Sequence, residues 1–431
     1  MNLSQPFTIR IFKYRFPVME LLVLVLLYFF NEGIFSWLIL PNSSLYENIT
    51  KGISILVYGY VLFSFPKLKR DEKIYIVLFT ALMIKLVFES LYLYGNFFDK
   101  FTIFTVVYPV VYVVFVKAMC RSLDFDILEL VAKFYLITYI LFMAIYGHGF
   151  GFSLAQVDME DYGPFSGDDR VIHARSILMI IIPYLWYLSA YIQKRKIIDL
   201  LLFLLCFVII LIHQHRSVWS CTIFSTFLFI VFTIRSNRKT AGRFFTMFTL
   251  FAVIGAFALI YVSALKPGFL DFLGNRFSEI LDPDREGGTG SFRIDQTVVY
   301  GEMIKQHPIF GLSFPGFYVR NPLVDWWDEG SGQHFHEGFI EIMFYHGIVG
   351  LILKYSFFVV IAVKAFLQKN LSQESIILVS FCLTGLLFSL SYVLPVIFFG
   401  HIGLCLYYLE KKKSSHAERV NTGSQVVLAQ S

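Results

Sequence analysis

Apolar runs long enough to cross a bilayer recur along nearly the whole chain, and most of the charge sits in the segments between them. In lipid, every backbone N–H and C=O must be satisfied within a helix or a closed sheet, which restricts what such a chain can form. Strands of an outer-membrane barrel would alternate in polarity, whereas these segments are apolar throughout. Only 16% of the residues are charged, against roughly 25% in soluble domains. The sequence therefore predicts an all-α polytopic membrane protein with the lipid bilayer as its surroundings. It argues against a nucleic-acid partner and against a secreted disulfide scaffold.

Twelve transmembrane segments are expected, at 17–40, 52–66, 74–93, 101–119, 127–146, 174–192, 197–212, 217–234, 244–263, 338–363, 374–393 and 395–409. Pro183 is expected to kink the sixth, and only a tight turn before Pro395 separates the last two. The organisation is thus nine spans over 1–263, a long outer loop over 264–337, three spans over 338–409, and a polar tail over 410–431 expected to be disordered and cytoplasmic.

With the N-terminus inside, the inner segments collect Arg10, Lys13 and Arg15, then Lys67, Lys69, Arg70 and Lys73, then Lys117 and Arg121. Lys194, Arg195 and Lys196, the group Arg235 to Arg243, Lys364, Lys369, Lys411 to Lys413 and Arg419 follow on the same side. They hold twice as many Lys and Arg as the outer segments, the bias of a cytoplasmic face, so both termini are expected inside. The first span is long and lacks a small-residue cleavage site, which reads as a retained helix. Cys120 falls at the inner face and the other cysteines within spans, so no disulfide is expected. Lys85 and Glu89, one turn apart, should neutralise each other, while Lys133 and Lys354 should snorkel to the inner surface.

Two outer segments exceed the length of a connector, 147–173 and 264–337. The longer one carries Trp326 and Trp327, a glycine-rich stretch at Gly287, Gly288 and Gly290, and an expected amphipathic helix from Ser291 to Gln306. The outer face also gathers His213, His215 and Arg216 between the seventh and eighth spans, Arg276, Arg285 and Arg293 in the long loop, and His334 and His336 where that loop re-enters the membrane. A cationic outer face runs against the positive-inside bias, so ordinary snorkelling explains the group poorly.

Three stretches carry a family pattern. HRSVW holds Arg216 at the outer end of a helix pair. FRIDQTVVYGEMIKQHPIFGLSFPGFY places Arg293 ahead of a helix and His307, Pro308 and Gly311 in a His-Pro-x-x-Gly turn. HFHEGFIEIMFYHGIVGL places His336 before a helix, with Gly347 and Gly350 closing the pattern. From about residue 210 to 360 the chain resembles the O-antigen ligase and polymerase superfamily, with Glu337 standing where that family usually has Asn. The resemblance implies a membrane glycosyltransferase of the bacterial inner membrane, needing no cofactor, with its site on the periplasmic side. The donor would be an undecaprenyl-diphosphate-linked glycan. The acceptor would be another glycan in a polymerase, the leading reading, or lipid A core in a ligase, and a polymerase would also take a chain-length regulator as partner.

The same residues can be read from chemistry. A departing lipid diphosphate develops negative charge that guanidinium groups meet with paired hydrogen bonds, which assigns Arg216 and Arg293 to the donor. The attacking hydroxyl must lose a proton, and a His near neutral pKa can accept it, which assigns the base to His336, with His334, Glu337 and Arg276 in support. The rival is a metal site built from His213, His215, His334 and His336 with Asp282 and Asp284. Arginines already offer the charge stabilisation a metal would bring, so the reaction is expected to be metal-independent. From another class, a secondary transporter would show repeated halves and broken midplane helices, and the halves here differ.

Overall fold

The computed structural model describes residues 8–11, 14–17, 43–95, 108–124, 126–146, 172–213, 215–237, 241–265, 291–311 and 335–411, with a few isolated positions besides. Helices dominate it: α1 (Ser43–Ser64), α2 (Arg70–Tyr94), α3 (Tyr108–Leu123), α4 (Leu128–Tyr146), α5 (Ala174–Leu178), α6 (Ile181–Lys194) and α7 (Ile197–Ile212). They continue as α8 (Arg216–Ser236), α9 (Ala241–Leu265), α10 (Ser291–Gln306), α11 (Gly338–Leu367), α12 (Gln373–Phe388) and α13 (Val396–Glu410). Each expected segment from the second onward overlaps these helices, the sixth covering two of them, and residues 101–107 of the fourth lie outside the described residues. Five stretches, Asn48–Lys67, Leu128–Ile145, Ala174–Lys194, Arg216–Ser236 and Gly338–Leu367, are long and apolar enough to cross a membrane, and α7, α12 and α13 are apolar but shorter.

An entirely helical chain was expected, and the N-terminus departs from it. Thr8–Ile11 (β1) pairs antiparallel with Tyr14–Pro17 (β2), Thr8 opposite Pro17. Polar and apolar residues alternate in both, the period of a strand rather than a helix. The first expected span thus begins in a strand, and its residues 18–33 lie outside the described ones, as does the tail 412–431. Pro183 divides the sixth span into α5 and α6, because it lacks the N–H that a continuous helix would use and is tolerated only in a first turn. The eleventh span is shorter than expected: α12 stops at Phe388, and 389–395 form an extended turn before Pro395 caps α13.

The core is built around α13, whose residues 397–409 are buried throughout. Its Gly403 lets it press against α3, since a Cβ there would lie 2.5 Å from the Val113 carbonyl oxygen. Large apolar side chains such as Phe63, Phe88, Ile198 and Val359 point outward, as lipid-facing surfaces do.

Where α2 begins and α3, α11 and α13 end, the expected inner charges form a network. Glu410 accepts from Lys364 (2.5 Å), Lys69 (2.6 Å) and Lys117 (2.9 Å). Glu72 takes Arg121 through both oxygens (2.6 and 2.9 Å) and pairs with Lys117 (3.1 Å). Asp124 meets Lys411 and Tyr407, and Asp126 meets Tyr408. Lys85 pairs with Glu89 and Lys133 with Glu129. Lys354 corrects an expectation: it does not snorkel but is buried, 5.3 Å from the centre of the Phe399 ring, with the buried Glu341 supplying opposite charge. All five cysteines are free and buried.

Candidate functional site

Two pieces of the family pattern, far apart in sequence, meet at a break in α11. Gly347 has φ 60° and ψ −159°, outside the helical region. The turn at 307–311 fills the break: Ile348 N–H donates to the Pro308 carbonyl (2.9 Å) and Val349 N–H to that of Ile309 (3.1 Å). Gly311, at φ 72°, faces it so closely that a Cβ would lie 2.5 Å from the His346 nitrogen. Two glycines at positive φ allow this backbone-to-backbone approach.

Eleven residues before the break, at the head of α11, stands His336. Helix α10 lies against this point and holds it with one stripe of side chains at helical spacing, Arg293, Gln296, Thr297 and Tyr300. Gln296 Oε1 accepts from the His336 N–H (3.0 Å), and Thr297 Oγ1 donates to Glu337 Oε2 (3.1 Å). Tyr300 is fully buried against Phe335, ring centres 4.8 Å apart. Arg293 lies 5.3 Å from the centre of the Tyr392 ring. The helix occupies the expected residues, but Ile294 and Val298 are exposed, so it is not amphipathic in the expected sense: the docked face is polar at one end and aromatic at the other. Burial pushes the Glu337 carboxyl up, against the Thr297 hydrogen bond and the Arg293 charge, which lower it.

The turn at 389–395 joins the parts. The Ser389 carbonyl accepts from the Gly338 N–H (2.9 Å), which fixes the first turn of α11. Cys221 Sγ touches the Thr384 carbonyl (3.7 Å), and Ser236 Oγ donates to that of Leu371 (3.3 Å), so α8 and α12 run antiparallel. That register carries Arg216, the first residue of α8, to the level of the same turn. Arg216, Arg293, His336 and Glu337 thus share one end of the bundle. Lys364 in the charge network lies beyond the Gly347 break, 26 residues from Gly338 on α11, at most about 39 Å away at 1.5 Å per residue. Ser389 and Tyr392 were not among the expected site residues; the signal available was a Tyr and two Ser beside a Pro between apolar runs.

His213, near Arg216, does not extend the cationic group. His213 Nε2 bonds the Tyr139 hydroxyl (2.7 Å), and burial, followed by the neighbouring His215, pushes its imidazole down to about 3, leaving it neutral. His215 Nε2 bonds the Ile172 carbonyl (3.1 Å). No group of three metal-ligating side chains is present among the described residues. His334, Arg276, Arg285, Asp282 and Asp284 lie outside them.

Residues 201–355 match the family model of the O-antigen ligase. The resemblance to the O-antigen ligase and polymerase superfamily holds. The matched stretch runs from α7 through Arg216, α10 and the His307–Gly311 turn to His336, Gly347 and Gly350, and the 389–395 turn lies beyond it. No curated protein matches the chain. With its series of apolar helices, the chain is a multi-pass membrane protein, and its residues 201–355 are similar to the O-antigen ligase family.

Proposed function

We propose that this protein is a glycosyltransferase of the bacterial inner membrane that moves a glycan from undecaprenyl diphosphate to a hydroxyl group at the periplasmic face. The observation that supports the reading is that His336, Arg293 and Arg216 stand at one end of the bundle, the end opposite the Lys- and Arg-rich network. Positive charge favours the cytoplasm, which supports a periplasmic His336 end and termini that lie inside. In the reaction, the acceptor hydroxyl oxygen bonds the anomeric carbon while the bond from that carbon to the diphosphate oxygen breaks. The electron pair leaves with the diphosphate, and Arg216 and Arg293 neutralise the charge it gains. His336 takes the hydroxyl proton. Glu337 supports the base from the adjacent position, and His334 and Arg276 keep the supporting roles that the sequence reading gives them.

The leading reading of the acceptor is a second lipid-linked repeat unit, which makes the protein a polymerase with a chain-length regulator as its partner. The description of the matching family as a ligase favours the second reading, transfer to lipid A core. Incubating purified protein with a lipid-diphosphate-linked repeat unit, with and without lipid A core, separates the two on a gel. A ladder without core makes it a polymerase, and a core-dependent band makes it a ligase. Donor left intact in both would overturn the proposal.

A further inference from the structure

We infer that Gln296 is a positioning residue for His336, fixing the backbone that carries the base; this rests on the assignment of His336 proposed above. Gln296 is fully buried, among the most enclosed polar side chains of the protein, yet it lies on a helix of the long loop. One turn further along the same face, Tyr300 packs on Phe335 and Phe344, an aromatic setting in which an apolar side chain of similar volume would be at home. Burying an amide there is unfavourable unless its polar atoms are bonded. One bond that offsets it is the 3.0 Å contact from the His336 N–H to Gln296 Oε1.

The bond acts on geometry rather than on charge. Holding the N–H restricts φ of His336 and therefore the direction in which its Cα–Cβ bond leaves the chain. On the C-terminal side the chain is already held, because Gly338 N–H is bound to Ser389 and Glu337 to Thr297. Gln296 closes the remaining side, so that His336 is held between fixed points at the mouth of α11. A base must lie within hydrogen-bond reach of the proton it takes, and small misplacements cost rate rather than binding.

The test uses the full-length protein in lipid nanodiscs and the lipid-linked oligosaccharide extracted from the producing bacterium. Gln296→Met keeps the volume and loses the acceptor, whereas Gln296→Glu keeps an oxygen where Oε1 stands. Turnover, donor KM and the rate of diethylpyrocarbonate modification of His336 are measured for each. The expected result for Gln296→Met is a kcat lower by roughly tenfold, an unchanged KM and an altered modification rate of His336. Gln296→Glu should recover most of the turnover. Val298→Ala, on the exposed face of the same helix, leaves the His336 N–H bond intact and should keep both kcat and the modification rate. If the Met variant is not recovered folded, Gln296→Leu takes its place in the same measurements. A Met or Leu variant with wild-type kcat and wild-type modification, beside an inactive His336→Ala, would overturn the inference while leaving the base assignment standing. Full turnover in His336→Ala would instead overturn the base assignment, and this inference with it.

Discussion

Replacing Gly347 by Ala tests the junction that ties the long loop to α11. The added Cβ would lie 2.5 Å from the carbonyl carbon and oxygen of Ile309 and 2.6 Å from the Gly311 nitrogen, backbone atoms that have no rotamer to escape into. Its φ of 60° with ψ of −159° belongs to a region adopted almost only by glycine, at a cost of about 1–3 kcal/mol for other residues. Relieving the overlap would part the turn from the helix and break the Ile348–Pro308 and Val349–Ile309 bonds, each contributing about 0.5–1.5 kcal/mol. The expected loss is therefore about 2–6 kcal/mol, a large share of a typical stability of about 5–15 kcal/mol. Thermal unfolding of purified Gly347→Ala should show it beside Gly301→Ala, an alanine within α10 whose Cβ would meet nothing within 4 Å and which should be neutral or slightly stabilising. Equal melting temperatures for Gly347→Ala and the wild type would refute the reasoning.

The remaining expectations concern the chemistry. Arg216→Lys should express normally and lose most turnover, because an ammonium does not reproduce the paired bonds of guanidinium to a diphosphate; near wild-type product would count against that role. His336→Ala should abolish chain extension while donor binding persists through Arg216 and Arg293, and a variant that still extends glycans would remove His336 from the mechanism. Activity should persist in EDTA, and complete loss restored by a single divalent ion would favour the metal reading instead. Glu337 has its folded-state pKa raised by burial, so its stabilising contribution is complete below its ordinary value of 4.5 and is lost as pH rises through the raised value. Glu337→Gln should therefore gain melting temperature relative to the wild type as pH increases from 4 to 7, a trend that scanning fluorimetry would detect or deny.

The helices were legible in the sequence because bilayer thickness sets the length of an apolar run and the backbone has one way to satisfy itself there. Their ends were less so. Hydrophobicity alone carried the eleventh span through Leu390, Tyr392 and Val393, whereas the chain leaves the helix at Ser389, the residue whose carbonyl receives the Gly338 N–H. Lys354 was read from its place near a span's end, yet its opposite charge, Glu341, sits on the far side of the Gly347 break and is visible only once α11 is folded. His213 was read as a cation from its neighbours in sequence, and burial beside the Tyr139 hydroxyl decides otherwise. The family pattern supplied Arg216, Arg293, His336 and both glycine pieces as separate residues. Gln296 fell between these pieces, because nothing in one sequence marks a glutamine as the acceptor for a backbone forty residues away.

The long loop returns to α11 at two levels. At the head of the helix, α10 grips His336 and Glu337, and lower down the 307–311 turn fills the Gly347 break. Fastening the loop at two levels removes freedom that a single anchor would leave, since an untethered segment can be ordered only at an entropic cost that rises with its length. The lower contact also fixes the direction in which α10 arrives, because Gln306 ends that helix and His307 begins the turn. A change at Gly347 should consequently be felt at His336 without touching it, through the angle at which α10 presents Gln296. The shared signature of Gly347→Ala and Gln296→Met would then be a fall in kcat, joined by a rise in donor KM only in Gly347→Ala, because that change moves the whole of α10 with Arg293, while α8, which carries Arg216, is anchored to α12.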